Sequence, residues 1–463
     1  MSNTPDPLHI LYSGDWILTN HLWSTLVDIK YDGSVESIIA KSWTRSLDGK
    51  TWTINLKDNL KWSDGSPMTA LEIVKSLSIS KIGTSHTDLS KSIESIEAIT
   101  DHTIIFKLKT VVPQFLEGLT YSDWSIVNSQ SVTEKDGKFY ITKYEKLSGP
   151  YYMDPKTKSE PGVVNAVSLI KNKYHPFHGK NIFEKGQIKT YEKCEDLLKG
   201  LNEVSSFRMY RDDLTDDCKK KLTENDFEFI TSQPSWIIKA DFTQSAMKNI
   251  NLQKRRSIVV AILKMLKNDY AAIGNSRATG LRASYLYGSL PEAEFDEIIN
   301  HLDSNLPPIS PQKIRIVSME IWSTWKSYSW LIQSLKKLGF EVIENKLSMK
   351  DFYAEFGSGK MQTNYELIFI PLGVGDIDPD GSWRIASKYF YSDLITSDEL
   401  QTAYLEVDKI KRQVLYKGFA KKLIESARYL PLVMNSDIIG VHKNFKIKDG
   451  TALRNGTSLY DLE

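Results

Sequence analysis

The run of residues 37–80 constrains this chain more than any other stretch. In Thr51-Trp52-Thr53-Ile54-Asn55-Leu56-Lys57, polar and apolar residues alternate strictly, which is the period of a strand with one buried face. Asp48-Gly49 precedes that strand, and a glycine can take the positive φ of a tight turn. After Lys61-Trp62, Asp64-Gly65-Ser66-Pro67 breaks the chain again. Thr69 then stands three residues before Glu72, the spacing of a capping box, and predicts a helix over residues 70–79.

Taken together, Ile39-Ala40-Lys41-Ser42-Trp43, Asp48-Gly49, Trp52, Ile54, Leu56-Lys57, Leu60, Trp62, Asp64-Gly65, Pro67, Thr69-Ala70 and Glu72-Ile73 form an ordered pattern. It resembles the signature of the extracellular solute-binding proteins that serve peptide and nickel ABC transporters (family 5, cluster C type). Further segments follow in the family's order: Ser148-Gly149-Pro150-Tyr151, Leu169 to Tyr174, Leu197-Leu198-Lys199-Gly200, Arg255 to Ile258, Leu338 to Val342, Gly375-Asp376-Ile377-Asp378-Pro379 and Tyr429-Leu430-Pro431-Leu432. The resemblance spans about residues 38–432. The acidic segment at Asp376 departs from the family pattern, being one residue short and lacking the usual preceding Trp.

The composition is that of a soluble globular chain, 463 residues with 41% hydrophobic and 25% charged, long enough for two or three domains. Lys plus Arg is 59 against 58 for Asp plus Glu, and no sustained basic patch breaks that balance, so nucleic acid is not an expected partner. No run reaches the ~20 apolar residues of a membrane span; the most apolar, residues 258–266, contains Lys264. The N-terminus MSNTPDPLHILYSG has neither the basic nor the apolar region of a signal peptide, so a mature chain is expected, with a cytoplasmic relative as the alternative. Cys194 and Cys218 are the only cysteines, and a bridge between them and two unpaired thiols are both open.

Strand and helix signals alternate along the chain, which defines an α/β (mixed α+β) class. Residues 8–12 read as an opening strand followed by a loop over 13–20, and residues 103–108 as a second alternating strand. Helices are expected over 188–200, 213–223, from Lys254, over 328–338 and over 406–428; strands are expected at 314–317, 366–370 and 432–441. The resemblance implies a two-lobed periplasmic-binding-protein type II-like fold with an inserted third small domain. On that reading lobe I comprises residues 1–28, 150–235 and 434–463, the small domain 29–149 and lobe II 236–433, with hinges near Pro234-Ser235 and Met434-Asn435.

In such a fold strand ends face a crevice, where ligands of open α/β sheets bind. Trp16, just past the first strand, and Trp322 and Trp325, just past residues 314–317, are the aromatic candidates, whereas Trp43, Trp52 and Trp62 are expected in the small domain's core and Trp330 inside its helix. The resemblance implies that Asp376, at the start of the acidic motif, pairs with the α-amino group of a peptide. Asp15, Asp378 and Trp383 lie in the same neighbourhoods and complete the candidate set. His175 and His178 in HPFH are two loop histidines with no partner cluster, so no metal site is expected. No G-x-S-x-G, H-E-x-x-H, C-x-x-C or phosphate-loop motif is present, and neither enzymatic activity nor a cofactor is expected.

The expectation is a monomeric solute-binding component of an ABC importer, at the periplasmic or extracellular face of a bacterial membrane. It would take a small ligand, a peptide first, by hinge closure. Its partners would be permease subunits, with membrane contact only through them or through a lipid anchor. The alternative is a ligand-sensing regulator or non-transport scaffold on the same fold.

Overall fold

The alternation along Thr51–Leu56 becomes the second strand of a four-stranded antiparallel sheet, ordered Ala40–Arg45, Thr51–Leu56, Thr103–Leu108, Ile93–Thr100. Trp52, Ile54 and Leu56 form its buried face, with Phe106 opposite Trp52 and Ile104 opposite Ile54. Trp52 also stacks on Phe115 at 5.2 Å, and Trp62 is fully buried, while Trp43 is half-buried. The capping box is formed: the Thr69 N–H donates to Glu72 Oε2 at 3.1 Å and the Glu72 N–H donates to Thr69 Oγ1 at 3.4 Å. The helix it opens runs Ala70–Gly83.

The computed structural model describes residues 5–9, 13–30, 34–83, 87–154, 163–176, 183–191, 194–232, 234–281, 288–304, 306–310, 312–373, 379–448, 459 and 462. Two units divide the chain. Unit 1 is Met1–Met209, Leu214–Ile230 and Ile439–Glu463; unit 2 is Tyr210–Asp213 and Thr231–Ile438.

Two glycines of the motifs have a steric reason. Gly65 turns the chain at φ +88°, and a Cβ there would sit 2.8 Å from the Tyr174 hydroxyl. Gly149 donates its N–H to the Leu22 carbonyl at 2.9 Å, and a Cβ would fall 2.4 Å from the His21 carbonyl oxygen. Only glycine allows backbone to approach backbone that closely. The strands Tyr151–Met153, Val163–Lys171 and Lys185–Tyr191 follow as an antiparallel sheet. Beyond it Cys194 and Cys218 form a disulfide, Cα atoms 6.2 Å apart, tying helix Cys194–Lys199 to helix Asp216–Glu224 over Leu197, Leu201, Leu222 and Phe227.

Unit 2 is built on a six-stranded sheet ordered Ser276–Arg277, Tyr429–Asn435, Trp236–Phe242, Leu367–Gly373, Lys313–Met319, Glu341–Leu347. The strands Leu367–Gly373, Lys313–Met319 and Glu341–Leu347 are mutually parallel, and the rest pair antiparallel. Helices Leu252–Ile273, Glu292–Asp303, Lys326–Lys337 and Lys409–Glu425 supply the apolar faces of its core. One polar group is enclosed there. Lys239 and Asp241, two apart on the strand Trp236–Phe242 and so on one face, are ion-paired at 0% and 2% exposure. Tyr391, from the π-helical turn Ser387–Tyr391, donates its hydroxyl to Asp241, and the Lys239 ammonium lies 4.1 Å from the centre of the Phe390 ring.

Several expectations are corrected. The loop expected over 13–20 is the helix Ser13–Leu22; its composition is a poor helix former, but Leu18 and Leu22 are fully buried beside Trp23, and packing overrides propensity. Of the opening strand expected at 8–12, Leu8 and His9 lie in a turn and the others fall outside the described residues. The helix expected over 188–200 begins only at Cys194, because Lys185–Tyr191 pairs as a strand against Val163–Lys171. The long helix expected over 406–428 is Lys409–Glu425, capped by the Asp408 carboxylate, and residues 432–441 are shared by two strands, Tyr429–Asn435 and Asp437–His442.

Candidate functional site

Sheet register brings several chain ends to one edge of unit 2. Trp236, first residue of its strand, stands opposite Gly373, last of Leu367–Gly373, and opposite Asn435, last of Tyr429–Asn435. Met319 and Leu347 end the parallel strands Lys313–Met319 and Glu341–Leu347 side by side. Past Met319 the chain makes a 3-10 turn, Trp322–Thr324, and Trp325 then precedes the helix Lys326–Lys337. Strand ends of this kind leave the backbone free to diverge, which is why they host ligands.

Four aromatic residues form a row here. Trp322 and Trp325 have ring centres 6.3 Å apart, Trp325 and Tyr210 5.6 Å, and Tyr210 meets Trp236 edge to face at 5.1 Å. Two of the three indoles are oriented by carboxylates: Trp325 Nε1 donates to Asp213 Oδ1 at 3.0 Å and Trp236 Nε1 to Asp437 Oδ2 at 3.3 Å. Burial pushes the Asp213 carboxyl above its usual range, with the Trp325 N–H partly offsetting it. Trp325 is 2% exposed and backs the row, while Trp322, Tyr210 and Trp236 are half-buried and keep accessible faces. Such a row can take apolar groups and flat polar groups of a ligand by contact area, stacking and cation–π attraction.

Of the residues read from sequence, the structure places Trp322 and Trp325 together. Trp16 and Asp15 lie on the helix Ser13–Leu22 of unit 1, not in a loop, and their side chains fall outside the described residues. Asp376 and Asp378 also fall outside the described residues. Trp383 is corrected: on the helix Pro379–Ala386 it is 0% exposed, packed edge to face on Phe419 at 5.8 Å, and serves the core. Trp330 is half-buried, with Nε1 donating to Asp269 at 2.9 Å. His175 is a buried core residue bonded to Ser24 Oγ, and His178 lies outside the described residues. Among the described residues no group of three His, Cys, Asp or Glu side chains is placed to hold a metal ion.

Sequence reasoning missed Tyr210, Asp213, Trp236 and Asp437. A signal was present: an aromatic residue opens the strand Trp236–Phe242, and Tyr210-Arg211-Asp212-Asp213 sets an aromatic against charges between strand and helix. Their meeting with Trp325 depends on contacts more than a hundred residues apart in sequence.

The mixed helix-and-strand architecture is that of the two-lobed periplasmic binding proteins. NikA from Brucella suis, in complex with Fe(III)-EDTA, superposes with a TM-score of 0.77 at 18% identity, covering 99% of this chain and 98% of that one. A dipeptide binding protein from Pseudoalteromonas sp. SM9913, in complex with Met-Leu, does so with a TM-score of 0.77 at 15% identity, covering 100% and 97%. The probable D,D-dipeptide-binding periplasmic protein DdpA of Escherichia coli (strain K12) is 23% identical over 96% of this chain and 88% of its own length. The family profile "Bacterial extracellular solute-binding proteins, family 5 Middle" matches residues 34–193, the region that holds the hairpin and capping-box motif. Over residues 34–193 the chain is thus similar to the family 5 extracellular solute-binding proteins, and over its whole length it shares the fold of the solved binding proteins.

Proposed function

We propose that this protein captures short peptides outside the cytoplasmic membrane and delivers them to the permease subunits of an ABC importer. The observation that carries the reading is the row Trp322, Trp325, Tyr210 and Trp236 along the edge where the unit 2 strands end. Peptide side chains would lie against these rings, and the peptide backbone would pair with polar groups of the strand ends. Asp376, three residues beyond Gly373 in sequence, would receive the peptide's ammonium as a charge-assisted contact, with Asp378 as a second carboxylate of the same segment. The full-length likeness to a protein named as dipeptide-binding supports the ligand class. A disulfide suits an oxidising compartment, and no helix among the described residues is long and apolar enough to cross a membrane. Delivery then requires that ligand shift the population between free and bound conformations.

Tryptophan fluorescence of refolded, ligand-stripped protein tests this with peptides of two to five residues. The expected result is a saturable change in emission, with affinity reduced about 10-fold or more in Trp322→Ala, a typical loss for a buried aromatic anchor. Asp376→Ala should weaken peptides with a free amino group and leave N-acetylated ones unchanged. No saturable response to any peptide would overturn the peptide reading.

A further inference from the structure

The C-terminal end of the chain is bonded to the first helix of unit 1 at a buried imidazole. His21, in the last turn of the helix Ser13–Leu22, is 1% exposed, with Nδ1 2.6 Å from the Ile17 carbonyl oxygen. A carbonyl only accepts, so Nδ1 carries the ring proton and Nε2 keeps a lone pair. That lone pair accepts the backbone N–H of Leu459 at 2.9 Å, across a sequence separation of 438. Leu459 is held a second time by its side chain, which packs on the cluster of Leu18, Leu22, Val167 and Leu169 and fills the space that a Cβ on Gly186 would take. Three residues on, Leu462 is 1% exposed, bridged to Ile447 and packed with Ile439 and Val441. Of these holds, the bond to His21 is the one made by a group that titrates.

Protonation removes the lone pair. With a proton on both ring nitrogens, Nε2–H and the Leu459 N–H are two donors facing each other, and a backbone N–H cannot turn to accept. An enclosed cation facing a donor is costly, so a charged ring and a docked Leu459 exclude one another. His175 shows the contrast. Its Nε2 meets Ser24 Oγ at 2.9 Å, and a hydroxyl can rotate to accept from a charged ring as readily as it donates to a neutral one. The groups around His21 bring no counter-charge to it. Tyr151, on the strand Tyr151–Met153, has its ring centre 5.6 Å away, and burial and then Glu184 push its phenol above the ordinary range. Asp123 lies in the turn Ser122–Trp124, packed against the same helix. Burial lowers the His21 pKa to about 4, with the Ile17 carbonyl pulling the other way and neither Asp123 nor Glu184 contributing. The side chains of Asp15, Asp461 and Glu463 lie outside the described residues.

We propose that the C-terminal end of this chain is an acid-released strap on unit 1 and that His21 is its catch. At neutral pH the ring holds Leu459 and the strap is docked. In acid the ring takes a proton, Leu459 leaves, and the cluster of Leu18, Leu22, Val167 and Leu169 loses that contact. The docked ring has the lower pKa, so docking is complete above about pH 6.5 and weakens as pH falls toward 4. For a protein proposed to work outside the cytoplasmic membrane, external acid is the signal such a catch would read. The strap is independent of which ligand the protein carries.

The test follows hydrogen exchange of the full chain by mass spectrometry at pH 7.5 and pH 5, corrected for the intrinsic pH dependence of exchange. It compares the peptide that holds residues 449–463 with the strands Thr51–Leu56 and Val163–Lys171. With a pKa of about 4 docked and 6.5 released, the opening constant of the strap should rise about 30-fold at pH 5, confined to the C-terminal peptide. His21→Gln keeps a donor for Ile17 and an acceptor for Leu459 but does not titrate, so it should hold the strap at pH 7.5 and lose the rise. No rise in wild type, a rise shared by both strands, or a rise that survives in His21→Gln overturns the proposal. Should His21→Gln already exchange freely at pH 7.5, the reciprocal measurement decides. By linkage, Leu459→Gly with Leu462→Gly, which removes both apolar holds, must raise the His21 pKa read by NMR from about 4 toward 6.5. A His21 pKa that stays at about 4 in that double variant overturns the strap.

Discussion

Two buried histidines show how single side chains set the conditions under which unit 1 holds together. His21 donates Nδ1–H to the Ile17 carbonyl at 2.6 Å and accepts the Leu459 N–H on Nε2 at 2.9 Å, so both ring nitrogens are committed in the neutral form. Burial lowers its pKa to about 4, and burial, aided by Lys57, lowers that of His175 to about 3. In each case the folded pKa lies below the unfolded value of 6.5, so the unfolded chain binds more protons between the two. Stability is therefore complete above about pH 6.5 and is lost as pH falls toward the folded values, by about 2 kcal/mol per histidine at pH 5. Urea unfolding at pH 7.5 and pH 5 should show that drop, and His21→Gln, which keeps a donor and an acceptor but does not titrate, should remove about half of it. An unchanged slope in His21→Gln would mean that the imidazole does not control the acid limb. Nothing in HPFH announces the burial of His175; it follows from Ser24, which lies on a distant segment and meets its Nε2.

Along single elements, the parts legible in the sequence are those whose cause is local. Alternation in Thr51–Leu56 and the Thr69–Glu72 box act within a few residues, and both appear in the structure as read. The helix Ser13–Leu22 and the strand Lys185–Tyr191 were misread because their partners are distant: Leu18 and Leu22 are held by a core that includes Val167 and Leu169, and the strand by its pairing across 163–171. The candidate site divides in the same way. Trp322 and Trp325 are legible as neighbours from their place after a strand, whereas Trp236 and Tyr210 join them only when the sheet edge assembles. The strand Trp236–Phe242 also reads apolar except for Lys239 and Asp241, and their pairing at the sheet centre explains the exception. Burial lowers the Lys239 pKa against the pull of Asp241, and raises that of Tyr391. Asp241→Leu alone leaves an ammonium and a phenol without their acceptor and should cost about 3–5 kcal/mol in denaturant unfolding. Lys239→Met with Asp241→Leu should recover most of that loss; a double variant no better than the single would show that the pair is not the source.

For the whole molecule, the disulfide and the solute-binding architecture belong together. The Cys194–Cys218 bridge closes a loop with a sequence separation of 24, which loop-closure entropy values at about 3 kcal/mol. Cys194→Ser with Cys218→Ser should lower the stability of unit 1 by about that amount in chemical denaturation, and reductant should do the same to wild type. A loss confined to far less than 1 kcal/mol would place the bridge outside the folding balance of unit 1. Unit 2 carries the aromatic row and its carboxylates, so its ligand affinity should survive that change if the site belongs to unit 2 alone. Native mass spectrometry of freshly purified protein, repeated after unfolding and refolding, tests the central claim most directly. The account predicts a family of added masses matching short peptides, absent after refolding and restored by incubation with the same peptides. A clean ligand-free mass that no peptide mixture alters would contradict it.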